Sequence, residues 1–445
     1  MSQSLRELGL DFVADSNWGR ALGVFAEAVR RQPGDHRARI HAARCLVKLG
    51  EVERAVTVLH ACAEGLLKRD YLLSAIAVCR QALPHSPREK RIRETLARIH
   101  ARAAKATSGK AAGPPPLPPE SIYDGQVATD LMTLQGSELS DQAINVLAAV
   151  DSTATHDPEA RPPLPLFADL DREAFLDLVE LADYKELKEG EVICAEGVPI
   201  DRIFVLVAGK AEVSRVVENS KEPKTLAFLG GGSIFGEISL LTGAAPSTTI
   251  TAVSDCDVLT IEREALNLLA RMFPEVPATL ATFAQHRMAR NLISTSPLFA
   301  HVPEAERPAL LQRFNFKALG AGDKAISEGE PVNALVLILA GELVVQKEDA
   351  AGGGVISLSI LREGDIAGEI ALLKGLRATA TVAASRKTAI ATLDRKEFEE
   401  LLKKHPTIRE YLDGLSDRRL KMIGEAMRPV EILDADELVV ESVES

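Results

Sequence analysis

The sequence predicts a multidomain chain: an all-α N-terminal array of helical repeats, then two tandem β-rolls of jelly-roll type with flanking helices. Three observations predict it. A passage of about 130 residues occurs twice at a constant offset of 132 positions. Pro165-Leu166-Phe167-Ala168 returns as Pro297-Leu298-Phe299-Ala300, Ala208-Gly209 as Ala340-Gly341, and Gly236-Glu237-Ile238 as Gly368-Glu369-Ile370. A fixed period without slippage means two copies of one domain built on one plan. Each copy is rich in short Val/Ile/Leu runs broken by Gly-containing turns (Gly190, Gly197, Gly209, Gly230–Gly232), the pattern of strands in series. Residues 1–105 instead repeat apolar and small residues at three and four positions, the helical period.

Bulk properties fit that architecture. The chain has 445 residues, 46% apolar and 26% charged, ordinary values for a soluble protein with several cores. Its longest apolar stretch, Ala334–Ala340, is far short of the ~20 residues a membrane helix needs. Met1–Ser4 lacks the basic start and apolar run of a signal peptide, so a cytoplasmic location is expected, away from membranes. The five cysteines (Cys45, Cys62, Cys79, Cys194, Cys256) never approach CxxC spacing and the histidines are scattered, so no metal site and no required cofactor is expected. The net charge is −12, yet residues 1–105 hold 19 Lys/Arg against 11 Asp/Glu. The acidic remainder argues against nucleic acid as a partner, and the basic repeats suit an acidic protein surface.

The organisation along the chain follows. Residues 1–105 form the helical repeats, with start and turn signals at Asp15-Ser16-Asn17, Pro33-Gly34-Asp35 and Ser86-Pro87, and a closing helix over Arg88–Ala104. Residues 106–164 form an acidic linker stiffened by Pro114–Pro119, in which Ser140 could cap a short helix to Val150 with Ile144, Leu147 and Val150 on one face. Residues 165–294 and 295–427 are the duplicated domains. Each opens with a helix (Asp171–Ala182; Glu304–Phe314) and closes with helical pattern (Glu262–Arg271 and Val276–Ile293; Arg395–Lys404 and Ile408–Met427). Residues 428–445 are an acidic tail, which could dock on the basic repeats or remain a solvated terminus.

Gly9, Phe12, Ala21, Phe25, Ala28 and Pro33 fall at the spacing of a tetratricopeptide repeat, a 34-residue helix pair. Ala55, Leu59 and Cys62 stand one repeat later, and Ala75, Cys79, Ala82 and Pro87 repeat the second-helix pattern irregularly. The region resembles a short tetratricopeptide array; a generic helical bundle is the alternative. The resemblance implies protein binding or self-association, hence an unknown protein partner or a homo-oligomer.

Between the strand runs, the first copy reads Gly236-Glu237-Ile238-Ser239-Leu240-Leu241 and the second Gly368-Glu369-Ile370-Ala371-Leu372-Leu373. Here the chain resembles the cyclic nucleotide-binding domain family, taken as its bacterial type, whose phosphate-binding cassette runs G-E-[IL]-[AS]-L-L and continues to P-R-x-A-T-V. The glycine lets backbone approach a ligand, and a helix start presents free N–H groups to an anion. The resemblance implies cAMP or cGMP as ligand, with Glu237 or Glu369 accepting from the ribose 2′-hydroxyl. It also implies a phosphate-binding arginine three residues before the strand threonine. That position holds Pro246 before Thr249 and Ala378 before Thr381. The first copy has no basic residue between Glu237 and Arg263, leaving the hydroxyls of Ser247, Thr248 and Thr249; the second has Arg377, beside Ala378 and Thr379, plus Lys374. Losing a charge-assisted contact weakens binding about ten- to hundredfold. The second copy is therefore the expected working site. Phe283, His286 and Tyr411 are candidates to stack on a base.

The expected function is a non-enzymatic regulatory protein coupling cyclic nucleotide-binding domains to a partner-binding repeat module. The alternative is a scaffold whose barrels have lost nucleotide and serve as protein-binding surfaces. No Walker loop, nucleophile elbow or metal constellation marks an enzyme.

Overall fold

The computed structural model describes residues 4–86, 89–103, 130–150, 167–216, 223–243, 245–246, 248–295, 297–299, 302–348 and 354–426. Contacts divide the chain into two units, Met1–Ala284 and Gln285–Ser445. The division falls inside the helix Val276–Thr295, earlier than the boundary expected from the repeat. The Pro114–Pro119 spacer, Ser247 and the acidic tail lie outside the described residues.

The first unit begins with helix pairs. Ser4 caps the helix Leu5–Ala14 in a reciprocal box with Glu7, and the side chains of Asn17 and Asp35 cap Trp18–Arg31 and His36–Lys48. The small and large residues of the repeat spacing do what that spacing requires. Phe25 is fully buried, and a Cβ added at Gly9 would lie 2.4 Å from its Cε1, so only glycine lets these helices close. Val52–Lys68 and Leu72–Ala82 follow, burying Ala55, Leu59, Cys62, Ala75 and Cys79. Lys90–Ala103 closes the array near its expected span.

The linker helix differs from its expectation. It runs Gly136–Leu147 and starts before Ser140, whose hydroxyl donates to Glu51 Oε1 at 2.6 Å rather than capping. Its buried face is Leu139, Ala143 and Leu147, packed against the repeats, while Val150 is exposed. Of the expected apolar face, Leu147 is buried and Ile144 packs beside it; the helix extends one turn earlier to include Leu139 and stops before Val150.

Both domains have the same two antiparallel sheets. In the first, the strands Asp183–Leu187, Cys256–Glu262, Arg202–Ala208 and Ile234–Phe235 are neighbours in that order. Val192–Cys194, Thr249–Ala252, Lys210–Val216 and Pro223–Gly230 form the second sheet. The second domain repeats every strand boundary 132 positions on, from Asn315–Leu319 to Thr388–Asp394. Even the ladder irregularities recur, between Val213/Ser214 and between Val345/Gln346. Inward residues such as Leu206, Val258 and Ile250 fill the first sandwich, and Ile338, Ile390 and Val382 fill the second. The opening helix of the second domain is shorter than expected: a 3₁₀ turn, Glu304–Glu306, precedes Arg307–Leu311.

Repeats and first domain share one core. A single buried cluster runs from Leu5 through Phe25, Leu96, Phe175 and Val205 to Leu280. Polar anchors accompany it. Arg37, buried on the repeat side, donates to Asp257 at 3.2 Å, and the Tyr184 hydroxyl donates to the same carboxylate at 3.0 Å. Arg44 pairs with Glu186 at 2.9 Å, Arg80 bonds the Ala182 carbonyl, and the His100 ring lies 2.9 Å from the Leu170 carbonyl oxygen. The basic repeats thus meet acid from the first domain.

Among the described residues, no helix is long and apolar enough to cross a membrane, and no group of three or more His, Cys, Asp or Glu could hold a metal.

Candidate functional site

Each cassette begins at a glycine that its backbone demands. Gly236 and Gly368 have φ of 89° and 88°, a left-handed conformation that disfavours side chains. A Cβ at Gly236 would also lie 2.5 Å from the Arg202 carbonyl oxygen. The glycines turn short strands into the helices Glu237–Thr242 and Glu369–Lys374, which end at Gly243 and Gly375, again left-handed. This places Glu237 and Glu369 inside, at 3% and 2% exposure. Ile238 is half-buried and Ser239 buried in the first copy, while Ile370 and Ala371 are buried in the second.

The strand threonines do a structural job identically in both copies. Thr249 Oγ1 accepts from the Glu196 amide and Thr381 Oγ1 from the Glu328 amide, each at 3.1 Å. Thr248 is half-buried in the turn before its strand. Gly197 N donates to the Pro246 carbonyl and Gly329 N to the Ala378 carbonyl, both at 2.9 Å, so the residue at the phosphate-arginine position is anchored through the same carbonyl in both copies.

In the second domain the cassette opens on a cavity of about 270 Å³. Its walls are Ile326, Val332, Val345, Leu358, Leu361 and Val382, with Gly368–Ala371 on one side and Ala378–Ala380 on another. Arg419, Met422 and Ile423, from the C-terminal helix Pro406–Ala426, complete the lining. Most of the sequence-derived residues of the second copy (Gly368, Glu369, Ile370, Ala371, Ala378, Thr379) therefore line one space. Arg377 is not among the lining residues. It is exposed, and its guanidinium donates to the Gly329 carbonyl at 2.9 Å. Lys374 is drawn to Asp417 at 3.0 Å.

Arg419 is the residue sequence reasoning missed. Its guanidinium donates to Glu369 Oε1 at 2.7 Å and to the Ile366 carbonyl at 2.8 Å, tying the terminal helix to the cassette. A signal was available: Arg287 stands 132 positions earlier, so both copies carry the arginine. Tyr411 does not line the cavity, and Phe283 packs on the core of the first unit. The side chain of His286 lies outside the described residues.

The acids that receive the repeats are peculiar to the first copy. Tyr184, Glu186, Asp255 and Asp257 correspond to Phe316, Ala318, Lys387 and Ala389. Burial pushes the Asp257 carboxyl up against the opposing pull of Arg37. Burial pushes Glu186 up, yet it is held below the ordinary carboxylate range, chiefly by the Arg44 guanidinium at 2.9 Å.

A helical-repeat region followed by two antiparallel rolls, each with a Gly-Glu cassette, defines the class: tandem cyclic nucleotide-binding domains behind tetratricopeptide repeats. The cyclic nucleotide-binding domain family matches residues 184–272 and 316–405, and the tetratricopeptide repeat family matches 12–64. Among known proteins, the chain is similar to a cAMP-dependent protein kinase regulatory subunit of Yarrowia lipolytica, 28% identical over 237 residues, 53% of this chain and 58% of that protein. It is also similar to the cGMP-dependent protein kinase egl-4 of Caenorhabditis briggsae, 25% identical over 60% of this chain and 34% of that protein. The chain thus spans less than two thirds of either relative. Both are eukaryotic and do not support the bacterial qualifier. A solved structure, the regulatory domain of Toxoplasma gondii PKA with cAMP, aligns at 21% identity over 57% of this chain and 92% of that one, with a TM-score of 0.29.

Proposed function

We propose that this protein is a non-enzymatic regulator in which the second domain senses a small nucleotide-type ligand and the first domain is committed to the helical repeats. cAMP and cGMP are the ligands the domain class suggests. One observation carries the reading: the Glu369 carboxylate, inside the second cavity, is bridged to Arg419 of the helix that closes it. A ligand hydroxyl donating to Glu369 competes for that carboxylate, and the helix Pro406–Ala426 is then held less firmly on its domain. The repeats, through residues 1–105, hold an acidic protein partner or a second copy of the chain.

Hydrogen exchange and thermal unfolding of the full chain test this with cAMP, cGMP, adenosine and guanosine at millimolar concentration. A ligand at 100 times its Kd adds about 2.7 kcal/mol of stability. Altered exchange in Pro406–Ala426 is expected with at least one of the four. No response to any removes the sensing role and leaves the scaffold reading, which the missing phosphate arginine at Pro246 and Ala378 favours.

A further inference from the structure

We infer that the second cavity selects an uncharged nucleoside over the corresponding 3′,5′-cyclic nucleotide. The inference rests on the reading of that cavity as the ligand site and concerns the charge of what enters.

Among the described residues lining the cavity the one cation is Arg419, and its charge is matched by Glu369 at 2.7 Å. Three cations on neighbouring elements are also engaged. Lys347 donates to Glu328 at 2.6 Å and to the Thr379 carbonyl at 2.9 Å, Lys374 pairs with Asp417, and Arg377 sits outside on Gly329. The space is therefore neutral as well as largely aliphatic.

A cyclic phosphodiester carries a permanent negative charge into this space. Burying an unpaired charge is far more costly than burying a hydroxyl. Recruiting Arg419 does not solve the problem, because the released Glu369 carboxylate, 2% exposed, then shares the cavity with the phosphate. Two anions would face one cation. A nucleoside brings no such charge. Its ring faces suit the aliphatic walls, and its hydroxyls can pair with Glu369, Ser359 and Thr379, the polar groups that line the cavity with Arg419. A volume of about 270 Å³ accommodates one small ring-bearing molecule.

Calorimetry on the full chain with adenosine, guanosine, cAMP and cGMP tests the inference. Each nucleoside that binds is expected to do so at least about tenfold more tightly than its own cyclic phosphate. Binding is expected to weaken in Glu369→Gln, which assigns it to this cavity; undiminished binding there overturns the inference. Ala378→Arg places a guanidinium on the wall and should raise cyclic nucleotide affinity about ten- to hundredfold relative to that of the matching nucleoside; an unchanged ratio between the two overturns the inference. Ala378 is 7% exposed, so Thr379→Lys, at a half-buried lining position, supplies the charge if the first variant fails to fold. Cyclic nucleotide binding more tightly than nucleoside to the unaltered protein overturns the selectivity and leaves the sensing role standing. Silence from all four ligands overturns both.

Discussion

Replacing Arg37 by methionine removes the most deeply buried charge pair between the repeats and the first domain. Arg37 and Asp257 have side-chain exposures of 8% and 4%, and the guanidinium reaches Asp257 through two nitrogens at 3.2 Å. In the variant, Asp257 keeps the Tyr184 hydroxyl and loses its counter-charge. Breaking one partner of such a pair costs about 3–5 kcal/mol. Burial already pushes the Asp257 carboxyl up, so it takes on a proton more readily in the variant, which holds the loss near the lower bound. Asp257→Asn should cost less, about 1–3 kcal/mol, because Arg37 can fall back on Asp255, where its Nη1 already lies 3.6 Å from Oδ2. The double variant removes both charges and should be less destabilised than the sum by about 2 kcal/mol or more. Trp18 is the single tryptophan of the chain and begins the helix preceding the one that carries Arg37, so its emission during urea unfolding reports on this unit alone. Losses that add to within about 0.5 kcal/mol would refute the reasoning, since independent sites behave that way.

Three further outcomes are expected. Gly9→Ala drives a methyl into the Phe25 ring and should destabilise the same transition by about 1–3 kcal/mol; an unchanged midpoint would mean the helices part at no cost. Gly368→Ala forces a side chain into φ of 88° with the Ala334 carbonyl oxygen 3.1 Å away, so it should cost about 1–3 kcal/mol, read as faster hydrogen exchange in the second domain. Burial holds the His36 ring at a pKa of about 3 and the His41 ring at about 4, with Glu186 opposing and Arg44, Arg6 and Lys188 reinforcing the shift at His41. Both are depressed from about 6.5 in the unfolded chain, so their contribution is complete above that pH and is lost as pH falls toward 4, by about 1.4 kcal/mol per unit for each ring. Equal stability of the first unit at pH 7 and pH 5 would contradict this.

The duplication made most of the architecture legible, because two strand patterns in one register constrain each other more than either does alone. Glu237 and Glu369 could be picked out for the same reason, and the structure buries both. Arg419 escaped because its partner lies 50 residues away, and nothing in helical periodicity says which charged residue turns toward a cassette. Asp257 escaped for the opposite reason: it reads as an ordinary residue in an apolar strand until it is compared with Ala389. In the linker helix Leu147 and Ile144 do pack on the core, but the helix begins at Gly136 and ends before Val150, because the apolar residues alone do not mark its ends. Tyr411 suits the role as an aromatic, yet it sits three turns before Met422 and Ile423 on the same helix, and it is those two that reach the cavity.

The flank formed by Tyr184, Glu186, Asp255 and Asp257 gives the two sibling domains a fixed order. Exchanging them in the gene would present Phe316, Ala318, Lys387 and Ala389 to Arg37 and Arg44, stranding arginines against alanine and a lysine. Duplication normally leaves spare parts free to trade places. Here a handful of substitutions on one strand pair has made the pair directional, and recombination that shuffles them should yield chains that do not fold at their amino-terminal end.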